Sequence, residues 1–194
     1  MQASWRQDAD KLTFIVCIRP TAFTAPAIED GSGNLELQPT VTPGQEDTPD
    51  RMVGDVNLFL YPSNDDEDDE NDNGDVVGEL EIMIARAEAR GKGLAKEALQ
   101  AFMWYVLNSL PDVMREYRPS YGDGKEKRSS QLKYLRVKIG KDNIRSLGLF
   151  ESVGFRRVSG PNYFGEVELR LDIRDVAKCG KSGCIAKKLS YGHE

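Results

Sequence analysis

The distribution of apolar and polar residues along the chain predicts an alternation of strands and helices. In the segment 78–85, Glu79 and Glu81 share one face and the aliphatic residues between and after them share the other, because side chains alternate along a strand. Five more segments, rich in β-branched and aromatic residues, are typical of strands: 11–18, 52–61, 132–139, 155–159 and 167–173.

Two further segments carry apolar residues at intervals of three to four positions, which indicates amphipathic helices. The first, 94–110, follows a glycine-containing turn and is predicted to end at Pro111. The second, 143–153, precedes Gly154, a residue that suits the left-handed conformation at a helix end. The whole pattern predicts a single α/β (α+β) domain over residues 1–174.

The segments between these elements are polar and are predicted to be mobile loops: 20–50, 63–75 and 111–131. The acidic run within 63–75 ends in the turn signal Asn73-Gly74-Asp75, so the strands around it are expected to form a hairpin. Such a run suits a basic substrate, but it is more often a solvated loop, and we leave it out of the site. Residues 175–194 show no period and are predicted to be a disordered tail.

Size and charge narrow the class of protein. A chain of 194 residues is long enough for one domain with its own core. Its formal net charge of −6 argues against general nucleic-acid binding and weakly favours a basic partner. No stretch approaches the roughly 20 apolar residues that span a bilayer, and the N-terminus lacks the order of a signal peptide. We therefore expect a cytoplasmic or nuclear protein without a membrane or nucleic-acid partner.

The cysteine and histidine content limits the chemistry. Cys17, Cys179 and Cys184 form no disulfide framework, and no second ligand pair accompanies the last two, so we expect no metal. The only histidine, His193, lies next to the C-terminus, which excludes a buried catalytic triad built on histidine. The chemistry must therefore use carboxylates, hydroxyls, backbone groups or a cofactor.

The segment Arg90-Gly91-Lys92-Gly93-Leu94-Ala95 joins a predicted strand to a predicted helix. Backbone N–H groups converge at such a helix start, and glycine lets them approach an anion closely, so this loop is a candidate site for a pyrophosphate. An ordinary turn that uses two glycines is the alternative. A Walker-type loop is disfavoured here, and also at Gly180-Lys181-Ser182, where the leading glycine and the preceding strand are missing.

Two spaced motifs make this interpretation specific. Arg90-x-x-Gly93-x-Ala95 matches R/Q-x-x-G-x-G/A, the acetyl-CoA signature of the GCN5-related N-acetyltransferase (GNAT) family. The segment 143–155, which starts with Asn143 and carries Phe150, resembles the family's second signature, N-x-x-A-x-x-L-Y-x-x-x-G-F. Within the family, several segments are similar to the eukaryotic N-acetyltransferase 9-like group, among them Arg90-Gly91-Lys92-Gly93-Leu94. This resemblance covers roughly residues 4–18, 52–61, 78–110 and 132–172.

The resemblance implies a mixed, mostly antiparallel sheet flanked by helices and a reaction with acetyl-CoA as co-substrate. Members normally carry another strand and two helices ahead of the first strand seen here, and we expect this chain to lack them. The residues implied to bind the cofactor are Met83, Ile84, Ala85, Arg90, Gly91, Lys92, Gly93, Leu94, Ala95, Asn143 and Phe150.

Acetyl transfer to an amine requires a donor for the developing oxyanion, a base and an acid, and these requirements suggest the catalytic residues. Relatives supply a backbone donor for the oxyanion from the strand before the loop, here Met83 or Ile84. Glu79 and Glu81 are candidate bases, with a solvated strand face as the equal alternative. Ser146 is a candidate acid or simply a small residue that makes room for the cofactor.

Phe150 stands where many relatives carry a tyrosine that protonates the departing thiolate, and phenylalanine has no proton to give. Three functions follow in decreasing order of support. They are an N-acetyltransferase acting on a protein or peptide amine, an acetyl-CoA-binding protein of weak activity that acts through protein contacts, and a nucleotide-binding or structural domain.

Overall fold

The computed structural model describes residues 8–19, 27–29, 35–37, 40–63, 75–117, 131–175, 186 and 188–191. The helices within these ranges are α1 (Leu94–Asn108), α2 (Leu110–Tyr117) and α3 (Ile144–Ser152), with a short 3₁₀ helix at Ala87–Ala89. The strands are β1 (Lys11–Cys17), β2 (Ala27–Glu29), β3 (Leu35–Leu37), β4 (Thr40–Val41), β5 (Met52–Pro62), β6 (Val76–Ile84), β7 (Leu132–Gly140), β8 (Arg156–Arg157), β9 (Glu166–Asp172) and β10 (Ser190–Tyr191).

Six of the strands form one sheet in the order β1-β5-β6-β7-β9-β8. All neighbours are antiparallel except β6 and β7, which are parallel and are joined through α1 and α2. This arrangement confirms the predicted mixed and mostly antiparallel sheet with flanking helices. The predicted hairpin of β5 and β6 is also present, and Ser63 donates its N–H to the Asp75 carbonyl at its tip, 2.8 Å away.

The parallel pair β6 and β7 is paired over only part of its length. The register runs from Val76 opposite Leu132 to Glu79 opposite Arg136 and goes no further. Both strands continue, β6 to Ile84 and β7 to Gly140. The two strands therefore diverge after this rung and leave an opening in the middle of the sheet.

The core lies on one face of the sheet, against the helices. The apolar stripe of α1 supplies Leu99, Phe102 and Val106, all of which are buried. From the sheet, Leu58, Leu135 and Leu169 are fully enclosed. The opposite face is largely polar in the described strands, because alternate positions of β6 and β7 carry charged side chains.

Three predicted loops and tails proved partly wrong. The segment 20–50 contains β2, β3 and β4, and the tail contains β10, which pairs in parallel with β4. The first helix ends before Pro111, but this proline lies at the second position of α2, where its missing N–H has no partner to lose. The predicted loop 111–131 is thus helical over its first seven residues. The rest of that loop, the acidic run and most of the tail lie outside the described residues.

The second predicted helix agrees with the structure. Asn143 is its N-cap, and its side-chain oxygen accepts the Ser146 N–H at 3.2 Å. Gly154 follows with a φ of 103°, which explains the glycine at this position. No helix in the described part of the chain is long and apolar enough to cross a membrane.

Candidate active site

The loop between β6 and α1 has the backbone of an anion-binding nest. Gly91 and Gly93 both have positive φ angles, 73° and 83°, while no residue other than glycine does in the described chain, so Lys92 between them has a negative one. This alternation of sign turns successive N–H groups toward a common centre. A Cβ at either glycine would meet no atom within 4 Å, so glycine is needed for its φ and not for room within the chain.

The first two backbone amides of α1 have no hydrogen-bond partner within the described part of the chain. The N–H groups of Lys96 and Glu97 donate to the Gly93 carbonyl, whereas those of Leu94 and Ala95 make no hydrogen bond there. Gly93, the N-cap, offers no side chain to satisfy them. The positive end of a 15-residue helix is therefore open to an anion.

Arg90 fixes the loop to the strand that precedes it. Its Nε donates to the Ile84 carbonyl at 2.8 Å, and a terminal nitrogen donates to the Ala85 carbonyl at 3.0 Å. These contacts stiffen the end of β6 and keep the guanidinium charge near the nest. Arg90 thus serves the anion site by holding the loop, with at most part of its side chain left for a phosphate.

A cavity of about 650 Å³ extends from this loop along the part of β6 that is no longer paired with β7. Its walls are the core-side residues of β6, the loop, the first turn of α1 and one side of α3. The lining residues are Ile82, Ile84, Ala89, Arg90, Gly91, Gly93, Leu94, Ala95, Lys96, Arg145, Ser146 and Leu149. Seven of these were predicted from the sequence as site residues, and the basic pair Lys96 and Arg145 was missed because neither belongs to a motif.

The backbone N–H groups of Met83 and Ile84 point to opposite sides of β6. Ala85 donates its N–H to Val53 on β5, and Val76 donates to Gln131 on the β7 side, each at 2.8 Å. Because this direction alternates along a strand, the N–H of Met83 faces β5 and the N–H of Ile84 faces the opening. Met83 is therefore a wrong choice as oxyanion donor.

Ile82 lies two positions before Ile84 on β6, so its N–H points in the same direction, toward the opening. Sequence reasoning missed Ile82, although strand alternation would have coupled it to Ile84. Gly54 lies opposite Ile84 on β5, and a Cβ there would collide with the Met83 carbonyl oxygen, so β5 and β6 approach each other closely beside the opening.

Glu79 and Glu81 share the face that lies opposite the cavity, as predicted, but their surroundings differ. The Glu79 carboxylate pairs with Arg136 at 2.7 Å and with Lys138 at 3.3 Å. Glu81 lies two residues nearer the opening, is exposed, and has no ion pair or side-chain hydrogen bond within the described residues. Of these two glutamates, Glu81 is the one whose carboxylate has no ion pair in the described part of the chain.

A chain of side-chain hydrogen bonds runs across β1 and β5 beside Glu81. The Thr13 hydroxyl donates to the Asn57 side-chain oxygen at 2.8 Å, and the Asn57 amide donates to Asp55 at 2.7 Å. Asn57 is 8% exposed and lies directly opposite Glu81 in the strand register. The Asn57 side chain is buried, and both its oxygen and its nitrogen are hydrogen-bonded, so it is held rigidly beside Glu81.

Tyr61 lies further along this face, above the closed part of the sheet. Partial burial, helped by the negative charge of Glu79, raises the pKa of its hydroxyl, although the nearby Arg136 opposes this effect. The hydroxyl is protonated at neutral pH, as an unperturbed tyrosine already is, and the raised pKa acts in the same direction. This hydroxyl is a hydrogen-bond donor on the face that carries Glu81.

The residues predicted on α3 do not all meet at the cavity. Ser146 lines it, whereas Asn143 is exposed and caps the helix. Phe150 is 4% exposed and packs edge-on against Phe155, with ring centroids 5.2 Å apart. Phe150 belongs to the core and does not line the cavity, which corrects its prediction as a cofactor contact.

Comparison with known proteins places these features in a family. Residues 4–156 match the model of the acetyltransferase (GNAT) domain. The N-acetyltransferase 9-like protein of Schizosaccharomyces pombe is 34% identical over 187 residues, which cover 88% of this chain and 74% of that protein. The alpha/beta-tubulin-N-acetyltransferase 9 of Homo sapiens is 34% identical, over 90% of this chain and 62% of the human protein.

A third relative, the N-acetyltransferase 9-like protein of Caenorhabditis briggsae, is 36% identical over 88% of this chain. The match spans 62% of that protein's length. The chain thus corresponds to somewhat under two thirds of two of these three relatives.

Proposed function

Because the chain belongs to the GNAT acetyltransferase family, we propose that it transfers an acetyl group from acetyl-CoA to an amine of a protein or peptide. The observation that supports this proposal is that an anion-binding loop and an elongated cavity lie next to each other. An uncapped glycine nest opens into a cavity, and the same cavity runs along Ile82 and Ile84, where β6 is no longer paired with β7. One feature suits a pyrophosphate and the other suits the extended arm and thioester that follow it.

The residues at the nest fit the pyrophosphate of acetyl-CoA. The open amides of Leu94 and Ala95 supply hydrogen bonds to phosphate oxygens, and the helix dipole favours the negative charge. Lys96 on α1 and Arg145 on α3 place two cations in the lining of the cavity. Ile82 and Ile84 offer an apolar wall and, through their amides, donors at the opening.

Bound acetyl-CoA supplies a thioester whose carbonyl carbon an amine nitrogen attacks, with cleavage of the carbon–sulfur bond. The N–H of Ile84 donates to the carbonyl oxygen as negative charge develops there, and that of Ile82 is a second candidate donor. Glu81 takes the proton that the amine loses, directly or through one water. The thiolate that leaves takes a proton from water or from Ser146, since Phe150 is buried and has none to give.

The acceptor approaches from the face that carries Glu81, because the cavity occupies the other face. Two carboxylates on this face, the exposed Glu81 and the half-buried Asp55, favour an acceptor with positive charge around its amine. The name of the human relative specifies α/β-tubulin, and we propose a protein acceptor of this kind for the present chain.

Acetyl transfer to α/β-tubulin tests this proposal, with mass spectrometry to locate the acetylated amines. We expect acetyl-CoA alone to raise the melting temperature, since at 100 times Kd a ligand stabilises the native state by about 2.7 kcal/mol. We further expect acetylated tubulin in the presence of this protein and not in the presence of Glu81→Gln. Failure of acetyl-CoA to stabilise the protein would refute the whole proposal.

A second function is a protein that binds acetyl-CoA but transfers acetyl weakly. The burial of Phe150 at the position of the family's tyrosine favours it, because a hydroxyl acid is absent there. Stabilisation by acetyl-CoA without acetylation of tubulin or of a panel of free-amine peptides would support this second function over the first.

A further inference from the structure

Glu79 lies at the last rung that joins β6 to β7, opposite Arg136. One oxygen of its carboxylate accepts a hydrogen bond from the Arg136 guanidinium at 2.7 Å and lies 3.3 Å from the Lys138 ammonium. The Glu79 side chain is only 16% exposed. An oxygen that contacts two cations in a partly buried position is not available to an incoming amine.

The two cations lie on either side of the point where the strands part. Arg136 belongs to the paired part of β7, whereas Lys138, two residues later and on the same face, belongs to the part that no longer pairs with β6. The contact between Glu79 and Arg136 closes the final rung. The contact between Glu79 and Lys138 connects β6 to the departing segment of β7.

The cluster is fixed from the other side as well. The Arg136 guanidinium lies over the ring of Tyr61 on β5, 5.6 Å from its centre. Three adjacent strands thus hold the Glu79 carboxylate in place. An ion pair of this kind contributes little to overall stability, so its main effect here is on geometry.

We propose that Glu79 is a positioning residue, which sets the separation of β6 and β7 and thereby the width of the opening that receives the acyl end of acetyl-CoA. This inference rests on the proposed function, since the width matters only if that arm enters here. It removes Glu79 from the candidate bases and leaves Glu81 in that role. Glu79 acts on acetyl-CoA binding, through the distance between the two strands beyond their last paired rung.

The test measures acetyl-CoA binding by calorimetry and the separate values of KM and kcat. We expect Glu79→Ala to raise the Kd and KM for acetyl-CoA by about tenfold, because a changed separation of β6 and β7 loosens the packing around the bound arm. At saturating acetyl-CoA, kcat should stay within about threefold of wild type. Loss of a base would give the reverse, with kcat down at least about 100-fold and Kd unchanged.

The exchange Glu79→Arg with Arg136→Glu provides the rescue. It restores an opposite-charge pair across the rung and leaves Lys138 beside the new carboxylate, so Kd should return to within about threefold of wild type. Position 79 then carries no carboxylate, and a general base there would not be rescued. Glu151→Ala, which removes an exposed ion pair with Arg157 on α3 and β8, is the control and should leave Kd unchanged.

Lys138→Met is a milder variant, to be used if Glu79→Ala does not fold. It keeps the rung and removes only the connection to the departing strand, so we expect Kd to rise about threefold. Unchanged Kd in the folded Glu79 and Lys138 variants would overturn the inference while leaving the proposed function intact. Wild-type protein that does not bind acetyl-CoA would instead refute the proposed function.

Discussion

In its first half β6 is paired on both sides, whereas in its second half it is paired with β5 alone. The closed half carries Glu79 in a network of charges, and the open half carries Glu81 without one in the described residues. The two glutamates have the same residue type, strand and face. Their surroundings differ because β7 is paired with β6 at Glu79 and is no longer paired with it at Glu81.

The comparison shows that strand pairing determines which backbone N–H groups of β6 can donate a hydrogen bond to a ligand. Along the closed half, alternate amides are used by β7, as the bond from Val76 to Gln131 shows. Along the open half, the amides of the same parity, those of Ile82 and Ile84, face the cavity side of the opening. A sheet that binds a ligand in its middle must therefore stop pairing there.

The largest expected effect is on the open half at Glu81. We predict that Glu81→Gln lowers kcat by about 10²–10⁴-fold, because general-base assistance is typically of this size. The Kd for acetyl-CoA should not change, since the carboxylate faces away from the cavity. Steady-state rates with saturating acetyl-CoA and one acceptor measure this effect. Equal kcat in wild type and Glu81→Gln would show that another group takes the proton.

The next effect concerns the loop that follows the open half. We predict that Gly93→Val weakens acetyl-CoA binding by about 100-fold, because the altered φ and the added side chain remove one or two charge-assisted hydrogen bonds of roughly 1.5–3 kcal/mol each. Gly44→Val is a matched control. Gly44 has a similar φ of 71° and the same open surroundings, but lies outside the site, so this variant should keep wild-type affinity.

A smaller effect is expected at Phe150, a residue of the second family signature whose side chain is buried in the core. We predict that Phe150→Tyr lowers the free energy of unfolding by about 1–3 kcal/mol, since the new hydroxyl is buried beside Phe155. We expect kcat to change by less than about tenfold. Denaturant unfolding and one kcat measurement suffice. A hundredfold gain in kcat without loss of stability would show that a hydroxyl at this position reaches the thiolate.

The smallest effect is expected at the start of α3. Asn143→Ala should cost about 1 kcal/mol of stability, because the cap on the Ser146 N–H is lost. Asn143→Ser keeps a capping oxygen and should stay within a few tenths of a kcal/mol. If the Asn143 amide also contacts acetyl-CoA, the serine variant will bind more weakly at unchanged stability. Equal affinity would limit this residue to its capping role.

Much of the closed half and of the loop was predictable from local sequence. Strand alternation gave the shared face of Glu79 and Glu81, and the glycine spacing gave the nest at Gly91 and Gly93. These features depend only on residues close together in the chain. The same locality explains why the helix predicted at 143–153 agrees with α3.

What could not be predicted depends on contacts between distant segments. The different roles of Glu79 and Glu81 depend on where β7, more than 50 residues later, leaves β6. Pro111 was misread because a proline that ends one helix suits the beginning of another equally well. The strand β10 was missed because it pairs with β4, a distant segment of the chain, and neither segment has a periodic pattern.

An NMR titration of backbone amides with acetyl-CoA tests the central claim most directly, because it reads both halves of β6 in one experiment. We expect the largest shifts at Gly91 to Ala95, with clear shifts at Ile82 and Ile84 and small ones at Val77 and Gly78. Shifts concentrated in the closed half, or on the face of Tyr61 and Glu79 with none at the loop, would contradict the assignment of the acetyl-CoA site to the opening between β6 and β7.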